Sequence, residues 1–223
     1  MTAEDELLWP WFEHMVASLP EADLFDVHTH IGHNDPDGFT LSEEDLVARL
    51  EAAASRSLVA PMHEPGGYPD ANDMVIDAAA RSNGRLRALC RLDPARDPLA
   101  ELKRCLDAGA LGVKLHPRAE QFELLDESLA PVFDAANERR LPVLIHAGRG
   151  IPTLGRDALI LATRYPDVRL ILAHAAICDL NWLWRELPRH RNLYIDTSWW
   201  NPTDLAALLA LVAPGQLLYA TDL

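Results

Sequence analysis

Two histidines one residue apart close the run Leu24-Phe25-Asp26-Val27-His28-Thr29-His30. Side chains alternate faces along a strand, so His28 and His30 share one side. Two imidazoles held together at a rigid strand end make half of a metal site. The same residue types recur downstream, each behind an apolar run: Lys114 and His116 after Val113, His146 after Val143-Leu144-Ile145, and His174 after Ile171-Leu172-Ala173. Asp222 closes the last such run. A single histidine after a strand is ordinarily a hydrogen-bonded structural residue. Convergence of all these groups on one face makes independent structural roles improbable. His116 has the weakest case, because Pro117 and the turn behind it could require it. Imidazole nitrogen and carboxylate oxygen suit Zn²⁺ and similar divalent ions. A catalytic ion keeps a position open for water and lowers the pKa of that water to about 7. Lys114 is the odd member, since an ammonium repels a cation. Either it pairs with a carboxylate beside the metal, or burial and nearby cations keep it neutral and it adds CO₂ to form a bridging carbamate.

These residues require a scaffold that brings strand ends together. Apolar positions at helical spacing from Leu8 to Leu19 predict an amphipathic helix, with Pro10 in its first turn and Pro20 as its stop. The strand ending at His30 and a polar loop over 32–40 follow. Ser42 caps a helix whose first turn carries Glu43, Glu44 and Asp45, favourable at the positive end of the helix dipole. Strands are then expected over 57–62, 86–92, 111–116, 142–146, 168–174, 192–198 and 216–222. Helices are expected over 71–81, 99–107, 128–140, 153–165 and 179–187, with a last one opened by Asn201-Pro202. Alternating apolar strands and helices imply a parallel sheet covered by helices. Eight such units imply an α/β protein built as a closed (β/α)₈ TIM-like barrel over 23–223, preceded by a helical leader over 1–22. The runner-up is an open doubly wound sheet, against which no Gly-rich dinucleotide loop follows the first strand. The sequence stops one residue after Asp222, so an eighth covering helix is not expected. The leader helix or a neighbouring copy in a homo-oligomer would then cover the last strand, unless the chain is a shortened product.

Composition narrows the classes. Of the 223 residues, 49% are hydrophobic and 24% charged, as in an ordinary globular protein. A formal net charge of −14 argues against nucleic acid or an anionic membrane surface as partner. Cys90, Cys105 and Cys178 are odd in number and widely spaced, which suits reduced thiols in a cytoplasmic protein. No basic-then-apolar start marks a secretory signal, and no run is long enough to span a bilayer.

Taken together, "DVHTHIG", "GVKLHP", "VLIHAG" and "LILAHA", with "YATDL" at the end, resemble the amidohydrolase superfamily and most of all its amidohydrolase-related (amidohydrolase 2) branch. The resemblance runs from Asp26 to Asp222. It implies metal ligation by His28, His30, His146 and His174, and a metal-binding, proton-shuttling role for Asp222. The segment around Lys114 resembles the strand that carries a carboxylated lysine in dihydroorotase-like members, a bridge between two ions. Many members of the amidohydrolase 2 branch are mononuclear instead, the strand-5 histidine being a ligand and the strand-6 histidine acting on substrate. The expected cofactor is therefore one or two divalent ions, Zn²⁺ first and Mn²⁺ as the alternative, with His174, Lys114 and Asp222 as the catalytic set.

Around the barrel mouth, His33, His63, Arg91, His116, Arg149 and Trp199 are candidates for substrate binding, with Met62, Arg118 and Trp200 nearby. Arginines there would clamp a carboxylate-bearing small molecule. The expected activity is hydrolysis of an amide, ester or lactone. The alternatives are non-oxidative decarboxylation by the same ligand set, and a metal-binding barrel without activity.

Overall fold

The computed structural model of the protein describes residues 3–19, 23–148 and 153–223. Pro20 and Arg149 lie outside the described residues. Eight strands form one sheet in sequential order: β1 (Phe25–Ile31), β2 (Arg56–Pro61), β3 (Leu86–Arg91), β4 (Gly112–Leu115), β5 (Pro142–Ile145), β6 (Arg169–Leu172), β7 (Leu193–Asp196) and β8 (Leu217–Leu218). Every neighbouring pair is parallel. The sheet meets itself through irregular pairing beyond β8. Val27 N–H donates to the Tyr219 carbonyl (3.0 Å), Asp222 N–H to His28 (2.8 Å) and His30 N–H to Leu223 (2.5 Å). The strand expected over 216–222 is thus short in its regular part, because this last stretch bonds β1 one residue at a time and Asp222 leaves the extended region with φ 60°.

The helices are α1 (Ala3–Ala17), α2 (Glu43–Ala52), α3 (Pro69–Arg81), α4 (Pro98–Ala108), α5 (Ala130–Glu138), α6 (Gly155–Arg164), α7 (Leu180–Leu183) and α8 (Pro202–Leu211). Local chemistry sets several ends. The Ser42 hydroxyl accepts from Asp45 N–H and the Asn201 side chain accepts from Thr203 and Asp204 N–H, while Gly109 closes α4 in the left-handed region. Pro10 lies inside α1, not in its first turn, because the helix already begins at Ala3. The apolar stripe of α1 stays exposed at Leu7, Leu8, Trp11 and Met15. The helix expected over 179–187 breaks into α7 and a short 3₁₀ turn, Leu187–Arg189. Asp179 does not cap α7, since its carboxylate accepts from Leu154 and Gly155 N–H at the start of α6, 2.9 Å each. No helix of the described residues is long and apolar enough to cross a membrane.

The core has two layers. Most buried apolar side chains lie between strands and helices, and a smaller cluster of Val27, Leu58, Ala60, Leu89, Leu144, Ile171, Ala173 and Ala220 fills the barrel. Alternation along the strands then decides what stands above this plug. Arg91 follows Leu89 by two residues, His146 follows Leu144 by two, and Lys114 pairs in register with Leu144. In β1 the register slips: Asp26 pairs with Ser57 and Thr29 with Val59, so Val27 and His28 together oppose Leu58. Such a bulge re-aims a side chain beside a site.

Candidate metal centre

At the C-terminal ends of the strands, His28, His30 and Asp222 present donor atoms that all lie within 4.8 Å of one another. His28 Nε2 is 3.1 Å from His30 Nε2 and 2.9 Å from Asp222 Oδ1, and His30 Nε2 is 3.2 Å from that same oxygen. The other ring nitrogens say what these atoms are. His28 Nδ1 lies 3.0 Å from Asp196 Oδ2, and a carboxylate only accepts, so Nδ1 carries the proton. His30 Nδ1 lies 3.3 Å from the Pro61 carbonyl, which also only accepts. Neutral His28 and His30 therefore aim bare Nε2 lone pairs at an acceptor oxygen. Three acceptors packed this closely need a cation or a proton between them. Donor atoms around a four-coordinate divalent ion with bonds of about 2.0–2.1 Å sit roughly 3.3 Å apart, so the donor set fits such an ion.

The electrostatics agree. Burial would raise the Asp222 pKa, but His28 and His30 hold its carboxyl far below the usual range. Burial and Lys114 pull His28 down, yet Asp222 and Asp196 outweigh them and its pKa is raised. Without an ion, either the Lys114 ammonium, 2.7 Å from His28 Nε2, donates to that lone pair, or His28 takes a second proton there and donates to Asp222 Oδ1. Burial, reinforced by Arg91, lowers Lys114 to about 8. His30 falls to about 4, mainly by burial and Lys114.

A second pair of histidines stands beside the first. His174 Nε2 is 3.2 Å from His146 Nδ1 and 4.0 Å from Asp222 Oδ2. Burial holds His174 near 4 and His146 near 2. His146 Nε2 is buried without a hydrogen-bond partner. Gly148 permits this closeness: a Cβ there would meet both His146 Nε2 and His174 Cδ2 at 2.9 Å. His174 has φ 56° and Asp222 φ 60°, in the left-handed region that costs a side-chain-bearing residue of order 1–3 kcal/mol. Strain kept at two site residues marks positions that the surrounding structure holds in place.

A cavity of about 550 Å³ opens over this cluster, lined by His28, His30, Lys114, His146 and Asp222 at its floor. Of the residues expected to bind substrate, His63, Arg91, His116 and Trp199 line it. His33 is exposed and is not among the lining residues, and His174 lies buried behind His146. His116 stacks on His146 with ring centroids 3.8 Å apart, and burial drives its pKa far down. Arg91 is buried, pairs with Glu120 at 2.8 Å and lies over the Tyr68 ring. Arg49 and Arg118, both exposed, also face the cavity, and neither makes an ion pair among the described residues.

Sequence reasoning missed Asp196, Glu120 and Arg49. Asp196 was legible by the rule that found the others, because it ends the apolar run Leu193-Tyr194-Ile195. Glu120 and Arg49 sit in a loop and on a helix, where no strand-end signal marks them.

Comparison with known proteins agrees with the fold. The model of the family described as Amidohydrolase matches residues 25–223. No curated protein matches at the sequence level. Among solved structures, an uncharacterized TIM-barrel protein, Bb4693 from Bordetella bronchiseptica, superposes with a TM-score of 0.70 at 16% identity, covering 90% of this chain and 85% of that one. The 5-carboxyvanillate decarboxylase LigW from Sphingomonas paucimobilis gives 0.65 at 15% identity, covering 90% and 88%. An amidohydrolase from Burkholderia multivorans gives 0.65 at 14% identity, covering 90% and 84%. At these identities the likeness is one of fold.

Proposed function

The chain belongs to the amidohydrolase family, and on that footing we propose that it is a hydrolase that requires a divalent metal and adds water to the amide, ester or lactone carbonyl of a small carboxylate-bearing molecule. The observation that carries this reading is the convergence of His28 Nε2, His30 Nε2 and Asp222 Oδ1 without a proton of their own to share. These three residues would hold one ion, with His146, whose Nε2 is unpartnered, as the further donor. Such an ion would supply Lewis acidity and a water acidified to about neutral pH.

The remaining work falls to the protein's own groups. Asp222, held ionised, takes the proton of the attacking water and returns it to the leaving group. His174 steadies His146 through the ring contact between them. Arg91 is fixed by Glu120, and Arg49 and Arg118 have no carboxylate partner among the described residues. These three cations would serve a substrate carboxylate in a cavity that Asp35 and Asp37 also line. His63, His116 and Trp199 shape the rest of the cavity. One ion is the stoichiometry we propose, with Lys114, whose Nζ is 2.7 Å from His28 Nε2, as an unmodified amine beside it.

Turnover of a panel of lactones, amides and esters, each with and without a carboxylate, in H₂¹⁸O by zinc-loaded protein tests the proposal. The expected result is one solvent oxygen per product and a preference for the carboxylated substrates. CO₂ release from carboxylic acids without ¹⁸O uptake would assign decarboxylation instead. No turnover of any kind with metal bound would leave an inert metal-binding barrel.

A further inference from the structure

Asp196 stands at the end of β7, between the strands that lead to His174 and Asp222, and is fully buried. Both of its oxygens are committed. Oδ2 accepts from His28 Nδ1 (3.0 Å). Oδ1 accepts from the backbone N–H of His174 (2.8 Å), the backbone N–H of Ser198 (3.0 Å) and the Ser198 hydroxyl (2.6 Å).

The direction of the last bond propagates. The carboxylate cannot donate, so the Ser198 hydrogen points at Asp196. Ser198 Oγ, 2.9 Å from His174 Nδ1, is then left as an acceptor, and His174 must carry its proton on Nδ1. His174 Nε2 is consequently a lone pair. It faces His146 Nδ1 at 3.2 Å, so His146 donates from Nδ1 and its own Nε2 is left bare. That atom is the buried nitrogen with no partner.

We infer that Asp196 is a positioning residue that, directly and through Ser198, sets the tautomers of His28, His174 and His146, leaving Nε2 bare on His28, among the converging donors, and on His146, which lines the same cavity. This deepens the proposed function and rests on it for the meaning of those lone pairs. Carboxylates behind metal-binding histidines fix ring orientation and tautomer in this way, and losing them costs 10–100-fold in affinity.

Asp196→Asn gives the sharpest test. Oδ1 would continue to accept from three donors, which places the new amide NH₂ opposite His28 Nδ1. Two donors cannot face each other, so His28 should move its proton to Nε2, among the three acceptors. Long-range ¹H–¹⁵N spectra of metal-free protein under mildly alkaline conditions read each ring directly. The wild type should show His28, His174 and His146 with the proton on Nδ1. In Asp196→Asn, His28 should switch to Nε2–H and Zn²⁺ affinity should fall roughly 10–100-fold. In Ser198→Ala, His28 should keep its tautomer and zinc stoichiometry, while His174 loses its preference. Wild-type His28 protonated on Nε2 and not on Nδ1, or Asp196→Asn with His28 unchanged and normal zinc affinity, would overturn the inference. If Asp196→Asn does not fold, the wild-type spectrum and Ser198→Ala decide alone, and an unmoved His174 in the latter overturns the relay. Failure of the wild type to bind zinc would count against the proposed function, whereas the tautomers would still judge Asp196.

Discussion

Lys114 Nζ lies 2.7 Å from His28 Nε2, with both side chains sealed from solvent. It is the donor that meets one of the three converging acceptors, and burial has already brought its pKa to about 8. The ammonium acts as a placeholder that competes with an incoming cation. Lys114→Met should therefore bind one zinc per chain, as the wild type does, with higher affinity, and bicarbonate should change neither. A fall from two ions to one in the variant would instead make Lys114 a carboxylated bridge.

Asp222 tests the proton path. Asp222→Asn keeps the size and one coordinating oxygen but cannot carry a proton. Zinc should remain bound while turnover drops about 10²–10⁴-fold, the usual worth of general acid–base help. Near-normal turnover would reduce Asp222 to a strand end.

Gly148 tests the packing of the second histidine pair. A methyl group there would sit 2.9 Å from both rings. Gly148→Ala should cost about 1–3 kcal/mol in urea unfolding, as overpacking does, and should weaken zinc binding by displacing His146. An unchanged midpoint and affinity would show that the rings have room to move.

The buried histidines give the metal-free protein a pH signature. His30 and His174 titrate near 4 and His146 near 2 in the folded state, each below the ordinary histidine value of about 6.5. The unfolded chain thus binds more protons than the folded one below about 6.5. The stability that these neutral rings permit is fully present above that pH and is lost as pH falls toward 4. Urea midpoints measured across this window should decline on acidification, and substituting His174 by Gln should shallow the slope. A flat profile would mean that the rings are not neutral and buried together.

Much of this architecture was legible because strands and chemistry coincide. Each apolar run ends where the barrel opens, so Lys114, His146 and His174 announced both a strand and the end of it at which these side chains gather. What stayed hidden depends on partners far away in sequence. The β1 bulge exists only in pairing with β2, and Asp196 acquires its meaning from His28, 168 positions earlier. Asp179 read as the start of a helix, whereas its carboxylate serves the backbone of α6. The cationic rim at Arg49 belongs to a helix whose other features concern only packing.

The central claim is that His28 and His30 hold a divalent ion. Zinc titration of the metal-free wild type and of the double variant His28→Ala with His30→Ala, with bound metal counted by elemental analysis, measures it directly. The account predicts one equivalent in the wild type and none retained in the variant. Equal metal content in the two proteins would contradict it.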